Sequence, residues 1–191
     1  MKLILGSSSV FRQNQLKQFG IAFDCESPEL DEDKIKHSGL SPYDISRELS
    51  LAKAKVILEK NPEAIVIGAD QVLDFKGQIY SKPQTEEKAI LQLLSLQGQT
   101  HQLITSYALI SKDQVIVDSV VCNMTMKHLS LEQITKYVKH DQPLYSCGAY
   151  KLETLGIALF DSIDCPDHSA IIGLPLISLS KSLEKFGISL L

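Results

Sequence analysis

Apolar and polar positions recur along this chain with two different periods, and the switches between them predict its elements. Lys2–Leu5 is a short apolar strand candidate that runs into Gly6-Ser7-Ser8-Ser9. A helix from Val10 to Phe19 is expected next, with Ser9 as its N-cap and Gly20 as its stop. Ser41-Pro42 predicts a second helix start, because proline is tolerated at the first helical position and serine can cap it. That helix carries Ile45, Leu49, Ala52, Val56 and Ile57 and fades near Asn61-Pro62. Ala64–Gly68 is short and rich in Ile and Val, which reads as a buried strand. A hairpin is predicted around Phe75-Lys76-Gly77, between Val72–Asp74 and Gln78–Tyr80.

In the second half, Thr85 opens a helix with Glu86 and Glu87 in its first turn, where they suit the macrodipole, and Gly98 follows its end. His101–Ile110 and Val115–Lys127 read as consecutive long strands around Ser111-Lys112-Asp113. Ser130-Leu131-Glu132-Gln133 has the capping-box pattern, so Leu131–Lys139 should be helical. Strands are then expected at Ala149–Leu152 and Ile157–Ile163, and a last helix from Pro175 to Phe186, stopped by Gly187. The mixture is α/β, with more hairpins than a purely parallel doubly wound sheet contains.

The length of 191 residues, 44% of them hydrophobic, suffices for a sizeable core without a disulfide or structural metal. One domain, or one domain with a small lobe, is the expectation. A net charge of −4 argues against gripping nucleic acid or an anionic membrane by bulk electrostatics, and leaves room only for a local basic pocket. Cys25, Cys122, Cys147 and Cys165 form no C-x-x-C pair, so zinc and redox motifs lack support and buried thiols in a reducing cytosol are expected. The apolar start is too short for a signal peptide's core, and no stretch reaches the length of a membrane span. A soluble, cytoplasmic protein is expected.

Three segments could carry chemistry, each with a plain structural alternative. Gly6-Ser7-Ser8-Ser9-Val10-Phe11-Arg12 presents free backbone N–H groups, hydroxyls and an arginine at a helix start, suited to phosphate; taken alone, the segment reads first as a capped helix with a surface arginine. Gly68-Ala69-Asp70-Gln71 puts a carboxylate at the carboxyl edge of the sheet, or merely begins a turn. Glu29-Leu30-Asp31-Glu32-Asp33 offers oxygen ligands for a hard cation, or a solvated loop. Lys53, Lys82 and Lys151 are scattered cations that could be ordinary surface lysines. The histidines show no metal-like i, i+4 pair, and there is no nucleophile elbow, P-loop or dinucleotide fingerprint. An anion site, separated cations and an acidic set remain, the inventory for metal-assisted chemistry on a phosphate ester.

In this order and spacing the segments resemble the Maf nucleoside triphosphate pyrophosphatases, nearly end to end. The likeness rests on Leu5–Arg12, Glu29–Glu32, Leu51-Ala52-Lys53-Ala54 and Ile67–Gln71, then on Ser81-Lys82-Pro83, Gly98–His101, Cys147–Tyr150 and Ile172–Leu176. The resemblance implies a Maf/ITPase-like fold over residues 1–191, an elongated mixed β-sheet with flanking helices and two lobes around a central cleft. It implies hydrolysis of a nucleoside triphosphate to monophosphate and pyrophosphate with Mg²⁺ or Mn²⁺. It matches Asp70 to the proton acceptor, Ser7, Ser9, Arg12, Lys53 and Lys82 to phosphate-binding positions, and Asp31 and Glu32, with Asp70, to the metal side. Two features depart from the family's usual pattern: Val10 stands where a proline is usual, and Arg12 is the one arginine where two are usual. Phe11, Gln71 and Glu153 resemble the branch acting on 7-methyl-GTP, in which Phe11 could stack on the cationic base and Glu153 accept from guanine's N–H groups. The dTTP/UTP branch and a non-catalytic nucleotide-binding regulator of septum formation are the alternatives. An uncovered strand edge would allow a homodimer.

Overall fold

The structure is a computed structural model and describes residues 2–191. Its elements are β1 (Leu3–Gly6), α1 (Val10–Lys17), β2 (Asp24–Glu26), α2 (Asp33–Lys36), α3 (Pro42–Lys60), β3 (Ile65–Phe75), β4 (Gln78–Tyr80) and α4 (Glu86–Leu96). They continue with β5 (Thr100–Ile110), β6 (Val115–Met126), α5 (Leu131–Asp141), β7 (Phe160–Asp164), α6 (Ser169–Ile172) and α7 (Leu176–Lys185). The strands form one sheet in the order β2-β1-β3-β5-β6-β7, with β4 beside β3. β1 is parallel to β2 and β3, whereas β3–β4 and β6–β7 are antiparallel, so the sheet is mixed, as the α/β pattern predicts. Among the described residues, no helix is long and apolar enough to cross a membrane.

The chain gathers into two compact units. One holds the residues up to Gln71 with Thr105–Val120 and Asp167–Leu191. Here period-two alternation sends Leu3, Leu5, Ile65, Ile67 and Ala69 into a core shared with Leu16 of α1 and Leu179 and Leu183 of α7. The intervening Ile4, Ala64 and Val66 pack instead against Ala54 and Ile57 of α3. Burial on both faces explains why these strands read as continuous apolar runs. Ser9 and Ser41 cap α1 and α3 as expected. At α7 the first free amides are taken by Asp167 Oδ2 and Ser169 Oγ, which accept from Ile177 and Leu176.

The other unit holds Val72–Ile104 and Val121–Pro166. Thr85 caps α4, Ser130 and Gln133 form the capping box of α5, and the two helices pack on each other. Phe75 pairs with Gln78 across a two-residue turn in which Lys76 (φ 56°) and Gly77 (φ 81°) take the left-handed conformation that matches strand twist. Three sequence expectations are corrected. The strand expected at Ala64–Gly68 runs on unbroken into the hairpin, to Phe75. Ala149–Leu152 is no strand: Gly148 (φ 73°) and Ala149 (φ 59°) turn the chain left-handed, which an extended ladder cannot accommodate. Cys122 and Cys165 are disulfide-bonded rather than thiols, because β6 and β7 pair Asn123 with Asp164 and set the two cysteines side by side.

His101 is buried here against Tyr150 and Phe160. Its Nε2 shares a 2.9 Å hydrogen bond with the Tyr150 hydroxyl, while Nδ1 is buried without a partner. Burial lowers its pKa to about 4 from 6.5. Between those values the unfolded chain binds a proton that the folded chain refuses, so stability is full above pH 6.5 and falls as pH drops through the window. The expected loss is on the order of 3 kcal/mol at the acid end. Urea midpoints at pH 7 and pH 4.5 should differ less in His101→Gln than in the unsubstituted protein; an equal difference rejects this account.

Candidate active site

β1 ends at Gly6, level with Gly68, and β3 continues beyond it. Asp70 therefore emerges just past the carboxyl end of a parallel neighbour, on the face of β3 that Val66 and Gly68 turn toward α3. α3 can approach that face because Gly68 has no side chain: a Cβ there would lie 2.2 Å from the Ser50 carbonyl oxygen and 2.6 Å from the Ala54 nitrogen. The close approach seats Lys53 against Asp70, with Nζ 2.5 Å from Oδ1. Gly68→Ala forces helix and strand apart and should cost about 1–3 kcal/mol or more in urea unfolding. A variant as stable as the parent would show that the contact yields.

Asp70 and Lys53 are both buried, at 7% and 8% exposure. Lys53 Nζ also lies 2.8 Å from Glu32 Oε1, and Glu32 Oε2 lies 2.6 Å from Lys36 Nζ. Burial pushes the Asp70 carboxyl above its ordinary range, opposed by the charges of Lys53 and Arg12. For Glu32 the balance is reversed. Burial pushes it up, but the hydrogen-bonded ammoniums of Lys36 and Lys53 outweigh that and hold it at about 2. Ser46 on α3 donates to the Asp70 carbonyl oxygen at 3.3 Å and fixes the backbone below the carboxylate.

A run of hydroxyls and one arginine stands at the β1–α1 junction. Ser7 is buried and its Oγ accepts from Ser9 N–H at 3.2 Å; Ser9 Oγ accepts from Arg12 N–H at 3.5 Å. Arg12 Nε donates to the Gly173 carbonyl oxygen at 2.9 Å, which anchors one edge of the guanidinium. Gly173 has φ 125° and lies against that side chain, so the glycine serves both the turn and the close approach. Phe11 is 48% exposed on the same helix start.

The sequence places Gln71 beside Asp70; the structure puts them on opposite faces, because successive strand residues alternate. Gln71 Nε2 donates to Thr105 Oγ1 at 2.9 Å and to the carbonyl oxygens of Ala170 and Ile171 at 3.0 Å each, which ties β3 to α6. Asp31 is exposed and accepts from the Asp33 N–H at 3.2 Å, at the start of α2. Among the described residues no three His, Cys, Asp or Glu side chains stand together to hold a metal, so Asp31, Glu32 and Asp70 are not one cluster. Glu32 and Asp70 do converge, on the single ammonium of Lys53. Two hard oxygen donors turned toward one positive charge suit Mg²⁺ or Mn²⁺ when phosphate oxygens complete the shell. Lys82 and Glu153 belong to the second unit, both exposed.

Sequence reading missed Lys36 and Ser46. Glu32 and Lys36 are spaced i, i+4 with the acid first, the favourable helical order, which was a usable signal. Ser46, Ser50 and Lys53 share the buried stripe of α3 with Ile45, Leu49 and Ile57. Polar residues at helical spacing inside an apolar stripe were the sign that this helix lines a site.

A family model described as Maf-like protein matches residues 2–186. The chain is 41% identical over 183 residues to a curated protein of Bdellovibrio bacteriovorus named 7-methyl-GTP pyrophosphatase, covering 96% of each. It is 37% identical over 190 residues to a protein of the same name from Pseudomonas putida, covering 98% of each. Among solved structures it is similar to the Staphylococcus aureus Ham1 protein, with TM-score 0.55 and 14% identity over 98% of this chain and all of that one. At that identity the likeness is one of fold.

Proposed function

We propose that this chain, which belongs to the Maf family, is a nucleoside triphosphate pyrophosphatase whose substrate is 7-methyl-GTP. The observation that carries the reading is the buried Asp70–Lys53 pair, extended by the half-buried Glu32, beside the Ser7–Arg12 junction: a poised carboxylate next to a phosphate cradle. The names of the relatives support the substrate and the reaction. We take the whole chain as the functional unit.

Ser7, Ser9, the amides that follow and Arg12 bind the phosphate chain, and Lys53 neutralises it. Asp70 accepts the proton of a water whose oxygen bonds to the α-phosphorus while the bond to the α–β bridging oxygen breaks, releasing pyrophosphate. Burial makes Asp70 a stronger base than a surface carboxylate, and the approach of phosphate to Lys53 relieves the ion pair that restrains it. A divalent cation held by Glu32 and Asp70 oxygens would offset the charge that builds on the leaving pyrophosphate. Phe11, exposed at the start of α1, stacks on the cationic methylated base.

The test is release of pyrophosphate and monophosphate, with Mg²⁺ or Mn²⁺, from 7-methyl-GTP, GTP, dTTP, UTP and CTP supplied separately. Product chiefly from 7-methyl-GTP supports the reading; product chiefly from dTTP and UTP keeps the reaction and rejects the base. Phe11→Arg should cut the preference for 7-methyl-GTP over UTP by on the order of threefold or more, the loss of one cation–π contact. An unaltered ratio removes Phe11 from the base pocket.

A further inference from the structure

Both oxygens of the Glu32 carboxylate are engaged by lysines, Oε1 by Lys53 at 2.8 Å and Oε2 by Lys36 at 2.6 Å. Lys53 also holds Asp70 Oδ1 at 2.5 Å. The side chains thus alternate in charge along Asp70, Lys53, Glu32 and Lys36, and each carboxylate already has a positive partner. A divalent cation approaching Glu32 meets two ammoniums at its ligands, and like charges a few ångströms apart repel strongly where water is partly excluded. The two lysines differ in freedom. Lys53 is buried on the long helix α3, whereas Lys36 ends the one-turn helix α2 with about a third of its side chain exposed, 32%, and can turn outward.

We propose that Lys36 is a positioning residue that keeps Glu32 closed to divalent cations until a triphosphate draws the lysines toward its own oxygens, so that metal and nucleotide bind as a coupled pair. This rests on reading the site as that of a metal-dependent nucleotide pyrophosphatase. The triphosphate supplies anionic oxygens that compete with Glu32 for the ammoniums, and the carboxylate then becomes available as an oxygen ligand. Coupling of this kind is reciprocal: nucleotide tightens metal binding by the same factor as metal tightens nucleotide binding.

Mn²⁺ binding, measured by calorimetry and by the resonance signal of free Mn²⁺, tests the proposal without turnover. The unsubstituted protein should bind Mn²⁺ weakly alone and on the order of tenfold more tightly with α,β-methylene-7-methyl-GTP, whose α–β link resists hydrolysis, after Mn²⁺ bound by the nucleotide alone is subtracted. Lys36→Met should bind Mn²⁺ alone on the order of tenfold more tightly than the parent, with the effect of nucleotide reduced. Lys36→Arg keeps a cation on Glu32 and should restore the weak binding. A gain in affinity cannot come from damage to the fold, and Lys36→Gln, which keeps length and polarity, is measured beside it. Lys36→Met and Lys36→Gln binding Mn²⁺ no more tightly than the parent overturns the proposal, as does parental Mn²⁺ affinity that ignores the nucleotide. Pyrophosphate release by the parent is scored separately: its absence rejects the proposed function, whereas unchanged Mn²⁺ affinity in an active enzyme rejects only the role of Lys36.

Discussion

Replacing Asp70 with asparagine should lower kcat by roughly 10²–10⁴-fold, the range for loss of a general base, while nucleotide binding persists. Asparagine has nearly the same shape and can keep an oxygen toward the Lys53 ammonium, now 2.5 Å from Oδ1. What it cannot do is take up a proton. Asp70 is suited to that task by its surroundings: burial raises its proton affinity, and Lys53 and Arg12 hold that rise in check. Nucleotide affinity should change far less than turnover, since Ser7, Ser9 and Arg12 are untouched. Pyrophosphate release at saturating substrate, with α,β-methylene-7-methyl-GTP binding measured in parallel, separates the two. Near-parental turnover in this variant would sink the assignment of Asp70 as proton acceptor.

Lys53→Met should lower kcat/KM by on the order of 10–100-fold, through loss of a charge-assisted phosphate contact of about 1.5–3 kcal/mol. A second effect distinguishes it from a simple binding defect. Lys53 is the principal charge opposing the burial of Asp70, so removing it lets the Asp70 pKa rise further. A larger share of Asp70 is then protonated at neutral pH and cannot act as a base. The acid limb of the kcat/KM profile should move to higher pH, and part of the lost activity should return as pH is raised. Folding stability follows the same sign. With its pKa above the unfolded value, Asp70 holds a proton that the unfolded chain releases, so the variant loses stability as pH rises toward and through the folded pKa. A parallel profile with an unmoved limb would confine Lys53 to substrate binding.

Features settled between near neighbours in the chain were legible from the residues. Ser9, Ser41, Thr85 and Ser130 cap the helices that their positions predict, because a cap is settled within three residues of the chain. Lys76-Gly77 makes its turn for the same reason. The series of motifs in order was enough for the family, and the apolar runs for the mixed α/β sheet. The remainder depends on how distant elements pack. Asp70 and Gln71 are adjacent in the chain, yet strand alternation sends one to α3 and the other to α6. Cys122 and Cys165, 43 residues apart, meet only because β6 and β7 pair in one register. Lys53 reaches Glu32 and Asp70 only because Gly68 lets α3 lie on β3, and Lys36 joins them because a single turn of helix follows Glu32. Capping and turn energies act over a few residues, whereas ion pairs between buried side chains depend on how whole elements pack, which no local pattern specifies.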